Sequence, residues 1–211
     1  MQSTNHWNHK LTLYIDTPLG EVVASSVINI KYGSALKWAG AMDGPDFTVT
    51  GEATVADLGE GRFVFALLTG SPDGLQGLAR EAYRDKYDAY RDQARNWDFT
   101  KWIRILTFQR EERTVPAHAY PMIVTFDDIK DPASVREVKA EGFAASFGEG
   151  YALKRMTLQV TDEAVKFGDV ENLLTWLPSI KGKIKPTDKR HAADILPEER
   201  LYTNDFIRIS K

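Results

Sequence analysis

Leu11, Leu13 and Ile15 alternate with polar residues, Thr17-Pro18-Leu19-Gly20 has turn chemistry, and residues 23–31 resume a run rich in Val and Ile. That order predicts a β-hairpin. Phe47, Val49, Gly51, Ala53 and Val55 alternate again, Gly59-Glu60-Gly61 marks a turn, and residues 62–68 are almost continuously apolar. A second hairpin is expected there, its return strand buried on both faces. Between the hairpins, residues 32–45 mix Gly33, Gly40, Gly44 and Pro45 with Trp38 and Met42, the pattern of an ordered loop held by apolar anchors.

The period then changes. Ser71-Pro72-Asp73-Gly74 carries helix-start signals, with Asp73 and Gln76 at capping-box spacing. Leu75, Leu78, Ala79, Ala82, Tyr83, Tyr87, Tyr90, Ala94 and Trp97 keep helical spacing, which predicts one long amphipathic helix over about 73–97. Residues 102–108 read as a strand, with continuation of the helix as the alternative, and 122–126 as another strand ending at Asp127-Asp128. Asp131-Pro132 is an N-cap followed by proline at the first helical position, so a short helix is expected through 135–138. Gly148-Glu149-Gly150 predicts a hairpin turn before an alternating strand over 153–160. Asp169 opens a short helix that Pro178 stops, and a terminal strand is expected around 201–209.

Strand pairs joined by short turns favour an α+β fold, mainly an antiparallel sheet of hairpins packed by the long helix and two or three short ones. No repeat or low-complexity linker divides the chain. The expected organisation is a flexible segment over residues 1–10 and one globular domain over 11–211. At 211 residues, 43% hydrophobic and 27% charged, the chain can bury a sizeable core.

Charge and composition remove several classes of function. A net charge of -3 supplies no basic field for a polyanion, so no nucleic-acid partner is expected. The absence of Cys excludes thiol catalysis, disulfides and thiolate metal sites. No run approaches the roughly 20 apolar residues of a membrane span. The start Met-Gln-Ser-Thr-Asn-His lacks signal-peptide character, so a membrane tether would come only through a removed leader. The expected compartment is the periplasm or cell envelope with such a leader and the cytoplasm without one.

Few residues carry chemistry on their face. Asp127-Asp128-Ile129-Lys130-Asp131 has the DDxxD spacing that holds magnesium on a continuous helix, but Pro132 cuts it and Asp131 reads better as a cap. His6 and His9 have a spacing that would let two imidazoles share one metal on a helix, with His118 or His191 to complete it. All four histidines are expected in loops or termini. Ala144-Ala145-Ser146-Phe147-Gly148 approximates a nucleophile elbow without its first glycine, and neither common nucleotide-binding glycine motif is present. No cofactor is expected. The tyrosine stripe Tyr83, Tyr87, Tyr90 with Trp97 reads as core first and ligand groove second, and the cation-rich 181–190 stretch reads as solvated loop.

Leu11-Thr12-Leu13 before Thr17-Pro18, Ser25-Ser26-Val27, residues 121–126, Asp131-Pro132 with Ser134-Val135, and 157–163 together resemble a family of small bacterial proteins with no assigned activity. Many of its members look secreted or lipoprotein-like. The resemblance implies an envelope role and supplies no catalytic residues. The expectation is a non-enzymatic domain that binds another protein, an envelope accessory or immunity-type protein, through Trp38 and Met42 or through His118 and Tyr120. The alternatives are a metal-dependent or acid/base hydrolase using Asp127, Asp128 and His118, and a carrier of small apolar ligands.

Overall fold

The computed structural model describes residues 5–34, 45–96, 98–187 and 191–209. The first hairpin pairs β1 (His6–Thr17) with β2 (Gly20–Ser34) around Pro18 and Leu19. The sheet begins at His6, inside the segment expected to be flexible. Trp7 and His9 continue the inward alternation of Leu11, Leu13 and Ile15 and pair with Ile30 and Ile28. A polar residue at an inward position hides that start from a count of apolar residues.

The single strand expected over 47–55 is two strands in two sheets. β3 (Pro45–Glu52) pairs with β2, whereas β4 (Thr54–Asp57) pairs with β5 (Phe63–Ala66), and Ala53 between them donates its N–H to Phe206 O at 2.8 Å. The long helix is likewise two helices, α1 (Gly74–Ala82) and α2 (Arg84–Gln93), broken at Tyr83. Tyr83 is fully buried. Its hydroxyl donates to Glu111 O at 2.6 Å and accepts from Val160 N at 3.4 Å. α1 buries Leu75, Leu78, Ala79 and Ala82, whereas α2 has no fully buried residue and meets the core only through half-buried Tyr87 and Tyr90.

Of residues 102–108, expected as strand, 102–106 belong instead to α3 (Phe99–Leu106), which Asp98 caps by accepting the Thr100 N–H at 2.9 Å, and 107–108 form a turn. Trp102, Ile103 and Leu106 face inward at i, i+1 and i+4, a helical stripe too short to separate from a buried strand by period alone. Two short strands follow, β6 (Arg113–Thr114) and β7 (Ile123–Phe126). Asp131 caps as expected, but only a 3-10 turn over Pro132–Ser134 follows it. The helix expected through 135–138 is β8 (Val135–Glu137), antiparallel to β7 with Val135 buried opposite Phe126. After α4 (Phe143–Phe147), the Gly148–Gly150 turn joins a helix to β9 (Ala152–Thr161) and is no hairpin. α5 (Asp169–Leu173) is brief, and the terminal strand shrinks to β10 (Ile207–Arg208), paired with β3.

The fold is therefore α+β with antiparallel sheets: a six-stranded sheet in the order β10-β3-β2-β1-β9-β6 and a four-stranded one in the order β4-β5-β7-β8. The inward face of the large sheet, α1, α3 and one face of the small sheet enclose the first core. β5 shows why its sequence is continuously apolar. Val64 and Ala66 face the first core, while Phe65 faces a second core, as Leu67 does just beyond the strand. In the second core Val124 and Phe126 meet Val170, Leu174, Leu201 and Phe206 from a largely irregular C-terminal covering.

Candidate functional site

Gly70 (φ 88) carries the chain from β5 to α1 so close to Met122 that a Cβ there would lie 2.6 Å from the Met122 nitrogen. The approach extends the β5–β7 pairing: Leu67 N donates to Met122 O and Met122 N to Thr69 O, both at 2.9 Å. A groove of about 350 Å³ opens beside this junction. Met122, Ile123 and Val138 give it apolar lining, Ala117 and Tyr120 line it from the preceding 3-10 turn, and Glu137, Lys139 and Glu141 bring charge. The Tyr120 hydroxyl accepts the Met156 N–H at 3.1 Å, so this phenol caps the edge of β9 as the Tyr83 phenol does at Val160. Two strand-edge donors are satisfied by tyrosines, and Tyr120 is held at the groove.

His118 lies in the same turn, 71% exposed, with Nε2 3.4 Å from Glu81 Oε2 on α1. Glu81 is buried and also receives Arg84 and Arg80, the latter paired in turn with Asp73. Burial pushes the Glu81 carboxyl up, but the hydrogen bonds and charges of Arg84 and Arg80 outweigh it and hold the carboxyl below its ordinary value. The result is an anionic group beside an exposed imidazole. Sequence did contain a signal for it: Glu81 falls three residues after Leu78, on the apolar stripe of α1, where a carboxylate needs cationic partners.

The acidic loop has a different neighbourhood. Asp127 accepts Arg136 Nε at 2.7 Å, Asp128 accepts the Lys130 N–H at 2.9 Å, and Asp131 accepts the Ala133 N–H at 2.9 Å. These carboxylates shape a turn at one end of β7, and His118 precedes the other end. With four strand residues at about 3.3 Å each between them, the proposed grouping of Asp127 and Asp128 with His118 is not brought together. His6 and His9 do not converge either. Both lie in β1, where an i, i+3 spacing puts side chains on opposite faces, and His6 is exposed while His9 is buried. Their expected place in a loop or terminus is corrected to a strand, and the helical metal spacing does not apply. Among the described residues no group of three His, Asp or Glu side chains is placed to hold a metal ion.

Trp38, Met42 and Trp97 lie outside the described residues. The tyrosine stripe is divided: Tyr83 is core, Tyr87 meets Trp102 edge-on at 5.2 Å, and Tyr90 lines a surface groove of about 350 Å³ with Ala89, Ala94 and Ile105. In the cation-rich stretch, Lys185 donates to Val135 O at 3.2 Å and so blocks the open edge of β8. Ser146 sits inside α4, outside any strand-to-helix elbow.

A residue with no sequence signal completes the architecture. Glu52 is buried at the end of β3, and its carboxylate accepts the N–H groups of Gly168, Asp169 and Val170 at 3.0, 3.1 and 3.4 Å. Burial raises its pKa and the three N–H bonds oppose that shift without cancelling it. This carboxylate, not Asp169, caps α5. Among the described residues no helix is long and apolar enough to cross a membrane. No protein-family model, curated protein or solved structure matches the chain.

Proposed function

We propose that this chain is a non-enzymatic domain that binds another protein, as an envelope accessory or immunity-type protein would, through the groove between Tyr120 and Glu141. The observation that supports the reading is the groove's make-up. Apolar lining from Met122, Ile123 and Val138, a fixed tyrosine and charge from Glu137, Lys139 and Glu141 match the apolar centre and polar rim of protein interfaces. The Glu81-anchored His118 extends that surface with a polar contact.

A photo-crosslinking amino acid at Glu141 tests it in native extract, with the same group at Asp92 on α2 as control. A discrete adduct is expected at Glu141 only, and lost when Ala117→Trp fills the groove. Equal labelling at both positions, or adducts indifferent to Ala117→Trp, would remove the groove from the account.

A hydrolytic role is the second reading, favoured by the Glu81–His118 contact, which could orient the imidazole as an acid/base group. It predicts that His118→Ala abolishes turnover of a substrate while partner binding persists.

A further inference from the structure

His9 lies mid-sheet on the inward face of β1, between Ile28 on β2 and Val160 on β9, with no exposed surface. The Trp7 indole N–H donates to its Nδ1 at 3.3 Å. An accepting Nδ1 on a neutral ring assigns the proton to Nε2. That Nε2–H has no hydrogen-bond partner among the described residues, so a donor is buried unsatisfied in the first core. A phenyl or aliphatic side chain would carry no such penalty.

We propose that the Trp7–His9 pair is an acid-released latch: protonation of His9 expels the pair from the core and frees the His6–Lys10 end of β1 from β2 and β9. Three features carry it. A charged imidazole here would have a second donor, on Nδ1, facing the Trp7 N–H donor, which turns a hydrogen bond into a clash of two donors. Among the described residues the surroundings supply no counter-charge: Ile28 and Ile30 meet the pair from β2, Leu158 and Val160 flank it on β9, and α3 presents Trp102, Ile103 and Leu106 to the same core. The titratable groups nearby are otherwise engaged. The Tyr83 phenol bonds Val160 N and Glu111 O, Arg110 and Asp162 pair with each other at the cleft beside Trp7, His6 lines that cleft, and Lys10 points to the opposite face, paired with Glu163.

The lever has a defined direction. Burial lowers the His9 pKa from 6.5 to about 3. Between those values the released state binds a proton that the closed state does not. The closed:released ratio is therefore unaffected above pH 6.5 and falls up to about tenfold per pH unit below it, levelling off near pH 3. By pH 4.5 the shift is about a hundredfold. The latch also sits at the end of the chain's first strand, where loss of a few pairings leaves the β2–β3 and β9–β6 ladders intact.

Amide hydrogen exchange of the whole chain, corrected for intrinsic rates, tests the latch at pH 7 and pH 4.5. Protection of residues 7–10 and of the β1-facing amides of Ile28 and Ile30 should fall by about a hundredfold while that of 123–126 changes far less, and His9→Phe should lose the difference. Equal loss of protection in both sheets, or the same pH dependence in His9→Phe, would overturn the proposal. Should that variant not fold, imidazole ¹⁵N shifts of the unaltered protein decide. A neutral Nε2–H ring for His9 in the folded state at pH 5 is expected, and an imidazolium signal there contradicts the latch.

Discussion

The two cores are closed by different means. The first is built by period: inward residues of β1 and β2 alternate, those of β9 do so from Met156 to Val160, and α1 and α3 lay helical stripes across them. The second has period on one side only. Phe65, Val124 and Phe126 come from strands, but their cover is a winding C-terminal chain held at separate points: the Glu52 carboxylate at α5, the Trp176 indole on Ile129 O at 2.8 Å, and Lys185 on Val135 O. A buried ionisable group at each core, Glu52 at the second and His9 at the first, differs in the same way. Glu52 has three N–H partners and fastens a segment; His9 has one partner and leaves a donor bare. Periodic packing can carry a polar misfit, whereas point-fastened packing depends on its polar contacts.

The largest test of that contrast is Phe206→Ala. Phe206 is fully buried, 6.0 Å from both Phe65 and Phe126, so its removal should cost about 3–5 kcal/mol in urea unfolding, comparable with Phe65→Ala. A cost below about 1 kcal/mol would mean that the covering is an accessory to the second core. Glu52→Ala comes next, at roughly 2–3 kcal/mol, because three backbone donors lose their acceptor together. Exchange should accelerate first at 168–174, and acceleration throughout the first core instead would erase the distinction between the cores.

Glu52 also sets a pH dependence opposite to that of His9. A raised carboxyl pKa means the folded chain binds its proton more readily, so this group's contribution declines as pH rises from the unfolded value of 4.5 through the raised folded one. Glu52→Gln should flatten that part of the stability curve, as pH-stepped urea titrations would show. Tyr83→Phe should cost about 1–2 kcal/mol, since the Val160 N–H and Glu111 O lose a shared partner. Asp127→Asn, which breaks an exposed pair with Arg136, should fall within about 1 kcal/mol; a larger loss would give the acidic loop more than a turn's role.

How far sequence reached follows the same division. The first hairpin, β5, β7 and β9 were legible because alternation and turn residues act locally. The break at Tyr83 was not, since it depends on Glu111 and Val160, which are distant in sequence. α3 reads as strand or helix because a run of Trp, Ile and Leu fits two periods, and the structure takes the helical alternative in a separate helix. Asp131 was legible as a cap, but the Val135 side chain then joined a strand whose partner lies across a loop. At the candidate site, His118 and Tyr120 stand out as residue types, while Glu81, which lies beside the histidine, needs its helical position read against its charge. Glu52 had no local sign because its partners lie more than a hundred residues away.

The groove beside Tyr120 is the proposed place for a partner. The most direct measurement is the affinity of the partner recovered at Glu141 for the unaltered chain and for Ala117→Trp, with matching urea midpoints to establish that the fold is kept. A loss of at least about tenfold is expected for Ala117→Trp, equivalent to about 1.4 kcal/mol. Unchanged affinity in a folded Ala117→Trp chain would contradict it.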